Sequence, residues 1–183
     1  DDHASTVVWL DPINGTFLYQ SQRPGWDIVL SIAREGQLEA AISYMPIRGQ
    51  FYLAVRGLGA LTGDRSQTRL AAMTPLRVMT GSRRLLTYQA ADVLEATRAL
   101  LESFDIVSDD DAARDFDNLN DLFTGRLDGF AVRNGDLLDW GAMTFVAEQA
   151  GAIVTAPDGR RVTFMSDFNG ARQADLLVTV NPD

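Results

Sequence analysis

The chain has 183 residues, with 46% hydrophobic and 22% charged side chains, the balance of an ordinary globular domain. It carries no cysteine and one histidine, His3, which excludes disulfides, thiolate catalysis and Cys-based zinc sites and argues against a Ser-His-Asp triad. A net charge of −9 argues against a general affinity for nucleic acid or anionic membranes. No apolar run is long enough to cross a bilayer and no signal-peptide pattern is visible, so a cytoplasmic location is expected. The chemistry left to the chain is that of Asp, Glu, Ser, Thr and backbone groups, which suits hard, oxygen-ligated cations.

In chain order, residues 7–10 (Val-Val-Trp-Leu) read as a buried strand that stops at Asp11, because Pro12 lacks the N–H needed to continue a ladder. Gly15 permits a turn, and Thr16 opens a short amphipathic helix that ends at Arg23-Pro24-Gly25. Residues 27–33 and 38–44, joined by Arg34-Glu35-Gly36-Gln37, read as a β-hairpin. Two further short strands are predicted over 50–56 and 58–62, followed by a polar loop over 63–74 that divides the chain into sublobes of about 1–74 and 75–183 within a single domain.

The second half alternates strands and helices, which predicts an α/β layer. A strand is expected over 75–80, and a helix over 90–104 on the helical spacing of Val93, Leu94, Thr97, Leu100, Leu101 and Phe104. Ile106 and Val107 form a short strand, and Asp109-Asp110-Asp111 reads as a solvated loop. A helix over 116–127, a strand over 130–133, a turn at Asn134-Gly135-Asp136 and a helix over 139–150 follow, the last stopped by Gly151. Strands over 152–155, 161–165 and 176–180 complete the reading.

Two stretches concentrate the chemistry. In the first, a strand end holds Asp11, the turn can aim the carbonyl of Ile13, and free N–H groups of Gly15 and Thr16 at a helix start favour an anion. An ordinary turn uses the same residue types. In the second, Asp139 stands at a predicted helix start, where an aspartate also serves as a helix cap.

Together the two stretches resemble the inositol monophosphatase family, the magnesium-dependent, lithium-sensitive sugar phosphatases. Trp9-Leu10-Asp11-Pro12-Ile13-Asn14-Gly15-Thr16 is similar to the family's Asp-Pro-(Ile/Leu)-Asp-Gly-Thr strand end. Asp139 with Glu148, Ala150 and Gly151 is similar to its later aspartate-led helix and Glu-Ala-Gly-Gly stop. Residues 28–33, 52–62 and 125–129 (Gly-Arg-Leu-Asp-Gly) carry further likenesses. The resemblance implies a layered αβαβα sugar-phosphatase fold: an antiparallel-rich first sheet, a second α/β layer, and no counterpart of the family's N-terminal helices.

For function the resemblance implies a Mg²⁺-dependent phosphomonoesterase that hydrolyses a small polyol, sugar or nucleotide phosphate by in-line attack of a metal-activated water. Asp11 would bridge two cations, the carbonyl of Ile13 would ligate one, and Asn14 and Asp139 would ligate the second. Thr16 would orient the water, while Gly15, Thr16 and Asp139 would contact substrate. A homodimer is implied as possible, with no nucleic-acid polymer or membrane among the partners.

Three departures stand out. Asn14 replaces a ligand aspartate, so the site is one charge short, weaker Mg²⁺ binding is expected, and Asn14→Asp is expected to tighten it. The family's Gly-Glu-Glu motif has no counterpart before Asp11. Ala113-Arg114-Asp115 and Asn118 stand near the family's substrate-hydroxyl positions, and Asp136 is a further candidate substrate contact. The alternative function is therefore a catalytically weakened or inactive member that binds a ligand or partner without turnover.

Overall fold

Alternation and turns build two sheets, seen in a computed structural model that describes residues 6–67, 69–90, 104–108, 119–162 and 173–180. The first sheet is a six-stranded antiparallel meander of β1 (Thr6–Asn14), β2 (Asp27–Arg34), β3 (Gln37–Met45), β4 (Gln50–Val55), β5 (Gly59–Asp64) and the two-residue β6 (Thr74–Pro75), paired in chain order. In β2 every second residue, Asp27, Val29, Ser31 and Ala33, is buried, as a one-sided sheet requires. The second sheet is mixed, in the order β10 (Ile153–Thr155), β11 (Gln173–Thr179), β9 (Gly129–Asp136), β7 (Arg84–Tyr88), β8 (Asp105–Ser108). β7 runs parallel to both β8 and β9, and the other pairs are antiparallel.

Helices are few among the described residues. α1 (Thr16–Gln20) follows the first turn, and α2 (Ala142–Gln149) buries six consecutive residues, Ala142 to Ala147. α2 packs on β2 to β5 of the first sheet and touches β10 of the second. Its Phe145 and Val146 share one hydrophobic cluster with Val29, Ala41 and Tyr52 of the first sheet and Val154 of the second. Removing a buried phenylalanine from such a cluster costs about 3–5 kcal/mol, so this helix helps fasten the first sheet to the second. No helix is long and apolar enough to cross a membrane among the described residues.

The structure corrects several expectations. β1 does not stop at Asp11 but continues to Asn14. It is an edge strand whose register shifts between Asp11 and Asn14, so the missing N–H of Pro12 breaks no required bond. Residues 75–80 do not form a strand beyond Pro75, whereas residues 84–88 do. Within the described part of the helix expected over 116–127, Leu119–Thr124 is a 3₁₀ helix. Asn134-Gly135-Asp136 is the end of β9 rather than a free turn. Residues 91–103 of the helix expected over 90–104, the acidic run 109–111, positions 113–118 and residues 163–165 lie outside the described residues.

Candidate active site

β1 presents Asp11, Ile13 and Asn14 at the bulge that closes the strand. The Asp11 carboxylate accepts the N–H of Ile13 at 2.9 Å, which folds the loop back on its own acid. Gly15 takes a φ of +80°, where an added Cβ would sit 3.4 Å from Leu18 Cδ1, so glycine is the residue this turn accepts without strain. The Thr16 hydroxyl donates to the Ile13 carbonyl at 3.1 Å. That carbonyl keeps a second lone pair. α1 is five residues long, so its N-terminus offers free N–H groups but little macrodipole.

Asp139 does not begin the α-helix. It lies inside a π turn (Leu137–Gly141) that precedes α2, and the capping residue is Asp136, whose Oδ1 accepts the Asp139 N–H at 2.8 Å. Single π turns are often found at functional sites. The turn packs against β1 and sets the Asp139 carboxyl beside that of Asp11. Partial burial, then the charges of the neighbouring Asp136 and Asp11, push the Asp139 pKa up to about 6. Two strand-end and turn carboxyls from distant parts of the sequence thus crowd one half-buried spot, with a third beside them.

Asn14 is placed differently from its neighbours. It is buried, and its Nδ2 donates to Asp27 Oδ1 at 2.9 Å, directly across the β1–β2 ladder. Asp27 also accepts from Ser43 Oγ and from Asn120 Nδ2, the latter at 3.1 Å. Next to this group Asp121 pairs with Arg48 at 3.4 Å. The Tyr52 phenol is pushed up to about 12, first by burial, with Arg48 opposing and Asp121 and Asp27 adding. Sequence reasoning missed Asp27 and Asn120. The signal for Asp27 was its parity with Val29, Ser31 and Ala33, which puts it on the inward face of β2.

The donor set suits a hard divalent cation: two carboxyls that repel when both are charged and a backbone carbonyl, next to Asn14, whose amide nitrogen is anchored inward. Among the described residues, no group of three or more acidic or histidine side chains stands in metal-binding geometry. Two acids, a carbonyl and the neighbouring Asn14 amide are therefore what the described residues offer here.

A family model described as the inositol monophosphatase family matches residues 1–175. A SuhB protein of Neisseria meningitidis serogroup B is 29% identical over 184 residues, covering 98% of this chain and 66% of that protein. The Nus factor SuhB of Escherichia coli K12 is 28% identical, covering 96% of this chain and 63% of its own length. The chain therefore spans just under two thirds of the length of these curated relatives. The solved inositol monophosphatase of Anabaena (Nostoc) superposes with a TM-score of 0.68 at 23% identity, covering 98% of this chain and 68% of that one, a likeness of fold. With both sheets, the bulged Asp11 loop and the match over residues 1–175 in hand, the chain belongs to the inositol monophosphatase family.

Proposed function

We propose that the chain carries the cation and phosphate site of a phosphomonoesterase acting on a small polyol, sugar or nucleotide phosphate. Family membership supports a phosphatase-type function, generally Mg²⁺-dependent and directed at small phosphorylated molecules. The observation that carries the reading is the contact of the Asp11 and Asp139 carboxyls beside Asp136, a concentration of negative charge that a cation would relieve.

Asp11, Asp139, the Ile13 carbonyl and the Asn14 oxygen would hold Mg²⁺. When bound, Mg²⁺ supplies the positive charge that neutralises phosphate oxygens and acidifies water. The N–H groups of Gly15 and Thr16 receive phosphate oxygens at the turn. The Thr16 hydroxyl, already fixed by its bond to the Ile13 carbonyl, orients the attacking water in line with the leaving alcohol. Asp136 holds the π turn, and with it Asp139, in place.

The reading is tested by phosphate release from a panel of inositol, sugar and nucleotide phosphates, with and without Mg²⁺, on this chain and on Asp11→Asn. Mg²⁺-dependent release that Asp11→Asn abolishes supports it. A second reading, ligand or partner binding without turnover, is favoured by Asn14, which leaves the loop one charge short, and it fits the Nus-factor name of the relatives. No release from any ester, with Mg²⁺ binding intact, would establish that second reading over the first.

A further inference from the structure

Asp27 opens β2 and is fully buried. Three side-chain donors converge on it: Asn14 Nδ2, Ser43 Oγ and Asn120 Nδ2. Asn120 turns its nitrogen to Asp27 although this leaves its own buried Oδ1 without a partner. Each of the three side chains turns its hydrogen to Asp27, so the acid fixes the direction of all three. An amide whose nitrogen is held by a buried carboxyl is fixed in one of its two flips. Asn14 therefore keeps Nδ2 inward, and Oδ1 is the polar atom it has left for the loop of residues 11–16.

We propose, resting on the phosphatase reading above, that Asp27 is a positioning residue for Asn14. The acid missing from the Asp11–Thr16 loop stands one layer inward at Asp27, where it orients the Asn14 amide as a neutral oxygen ligand beside Asp11 and Asp139. Residues 14 and 27 are then a matched pair, Asn with Asp, directly opposite on the ladder. This reverses the expectation for Asn14→Asp. That substitution alone sets two acids against each other at a buried position and removes the donor that Asn14 turned to Asp27. Exchanging both residues restores one donor and one acceptor and moves the charge outward into the loop.

The test is a double-mutant cycle on this chain with N14D, D27N and N14D/D27N. It is read by denaturant midpoint without metal and by calorimetric titration with Mg²⁺. N14D should lower the midpoint without tightening Mg²⁺. D27N should weaken Mg²⁺ binding roughly 10- to 100-fold, the usual effect of losing a group that orients a ligand. The double variant should regain midpoint relative to N14D and bind Mg²⁺ more tightly than the parent. Additive midpoint shifts, unchanged Mg²⁺ binding in D27N, or an N14D variant that is both stable and tighter would each overturn the proposal. If the single variants do not fold, a folded double variant supports the pairing and an unfolded one overturns it. D11N separates the two ideas. Loss of Mg²⁺ binding in D11N but not in D27N removes the positioning role alone, whereas parental Mg²⁺ binding in D11N removes the phosphatase reading.

Discussion

Asp128 and Asp139 are the same side chain in opposite circumstances. Asp128 sits where the Gly81-Ser82-Arg83 segment wraps it, accepting from the N–H groups of Gly81, Ser82 and Arg83 and from Ser82 Oγ. Burial by itself would raise its pKa, but those donors outweigh burial and hold the carboxyl below the ordinary range. Asp139 has burial and two acids working in the same direction, and is pushed up to about 6. The first acid is satisfied by its own chain and fastens the segment before β7 to the start of β9. The second has surroundings that only a proton or a cation improves. The difference separates an acid satisfied within the fold from an acid crowded by its neighbours, which is where a cation site is proposed.

Removing each acid should break this contrast in opposite ways. Asp128→Ala strands several donors and should cost about 3 kcal/mol in urea denaturation, while leaving the Mg²⁺ titration unchanged. Thr16→Ala should reduce kcat about tenfold with little change in stability, as loss of a water-orienting group does, provided the assay detects turnover in the parent. Gly15→Ala forces a side chain into a positive φ beside Leu18 and should cost about 1 kcal/mol. The smallest effect is a pH dependence of the metal-free chain. Because the folded pKa of Asp139 lies above its unfolded value, the native state binds the extra proton. Stability contributed by that group is complete below about pH 4 and is lost as pH rises through about 6. Asp139→Asn should flatten this part of a thermal-midpoint profile, whereas Asp128→Asn should leave it in place.

Much of the first sheet was legible because its strands alternate and its turns carry glycine, as in the Ile32–Gln37 bend of the β2–β3 hairpin. α2 was legible from its spacing and the Gly151 stop, although its start was placed at Asp139 rather than Ala142. β7 was not: Arg-Leu-Leu-Thr-Tyr is a short apolar run with no alternation, as parallel strands tend to be, and periodicity cannot tell it from a loop or a helix fragment. Pro12 misled because only topology reveals that β1 is an edge. The approach of Asp11 to Asp139 depends on how the π turn meets β1, which no local pattern encodes. It entered through family likeness. Asp27 went unread because an aspartate at a strand start usually faces water, and its inward parity was the signal against that default.

The central claim is that the Asp11–Asp139 contact is a cation site. The most direct measurement is the Mg²⁺-induced rise of the thermal midpoint at pH 7 for the parent chain and for Asp139→Asn. A ligand that binds the native state stabilises it by mass action, about 2.7 kcal/mol at a hundredfold excess over Kd. The account predicts a clear rise in the parent, saturating with Mg²⁺, and none in Asp139→Asn. Equal rises in both chains, or no rise in either, would contradict it.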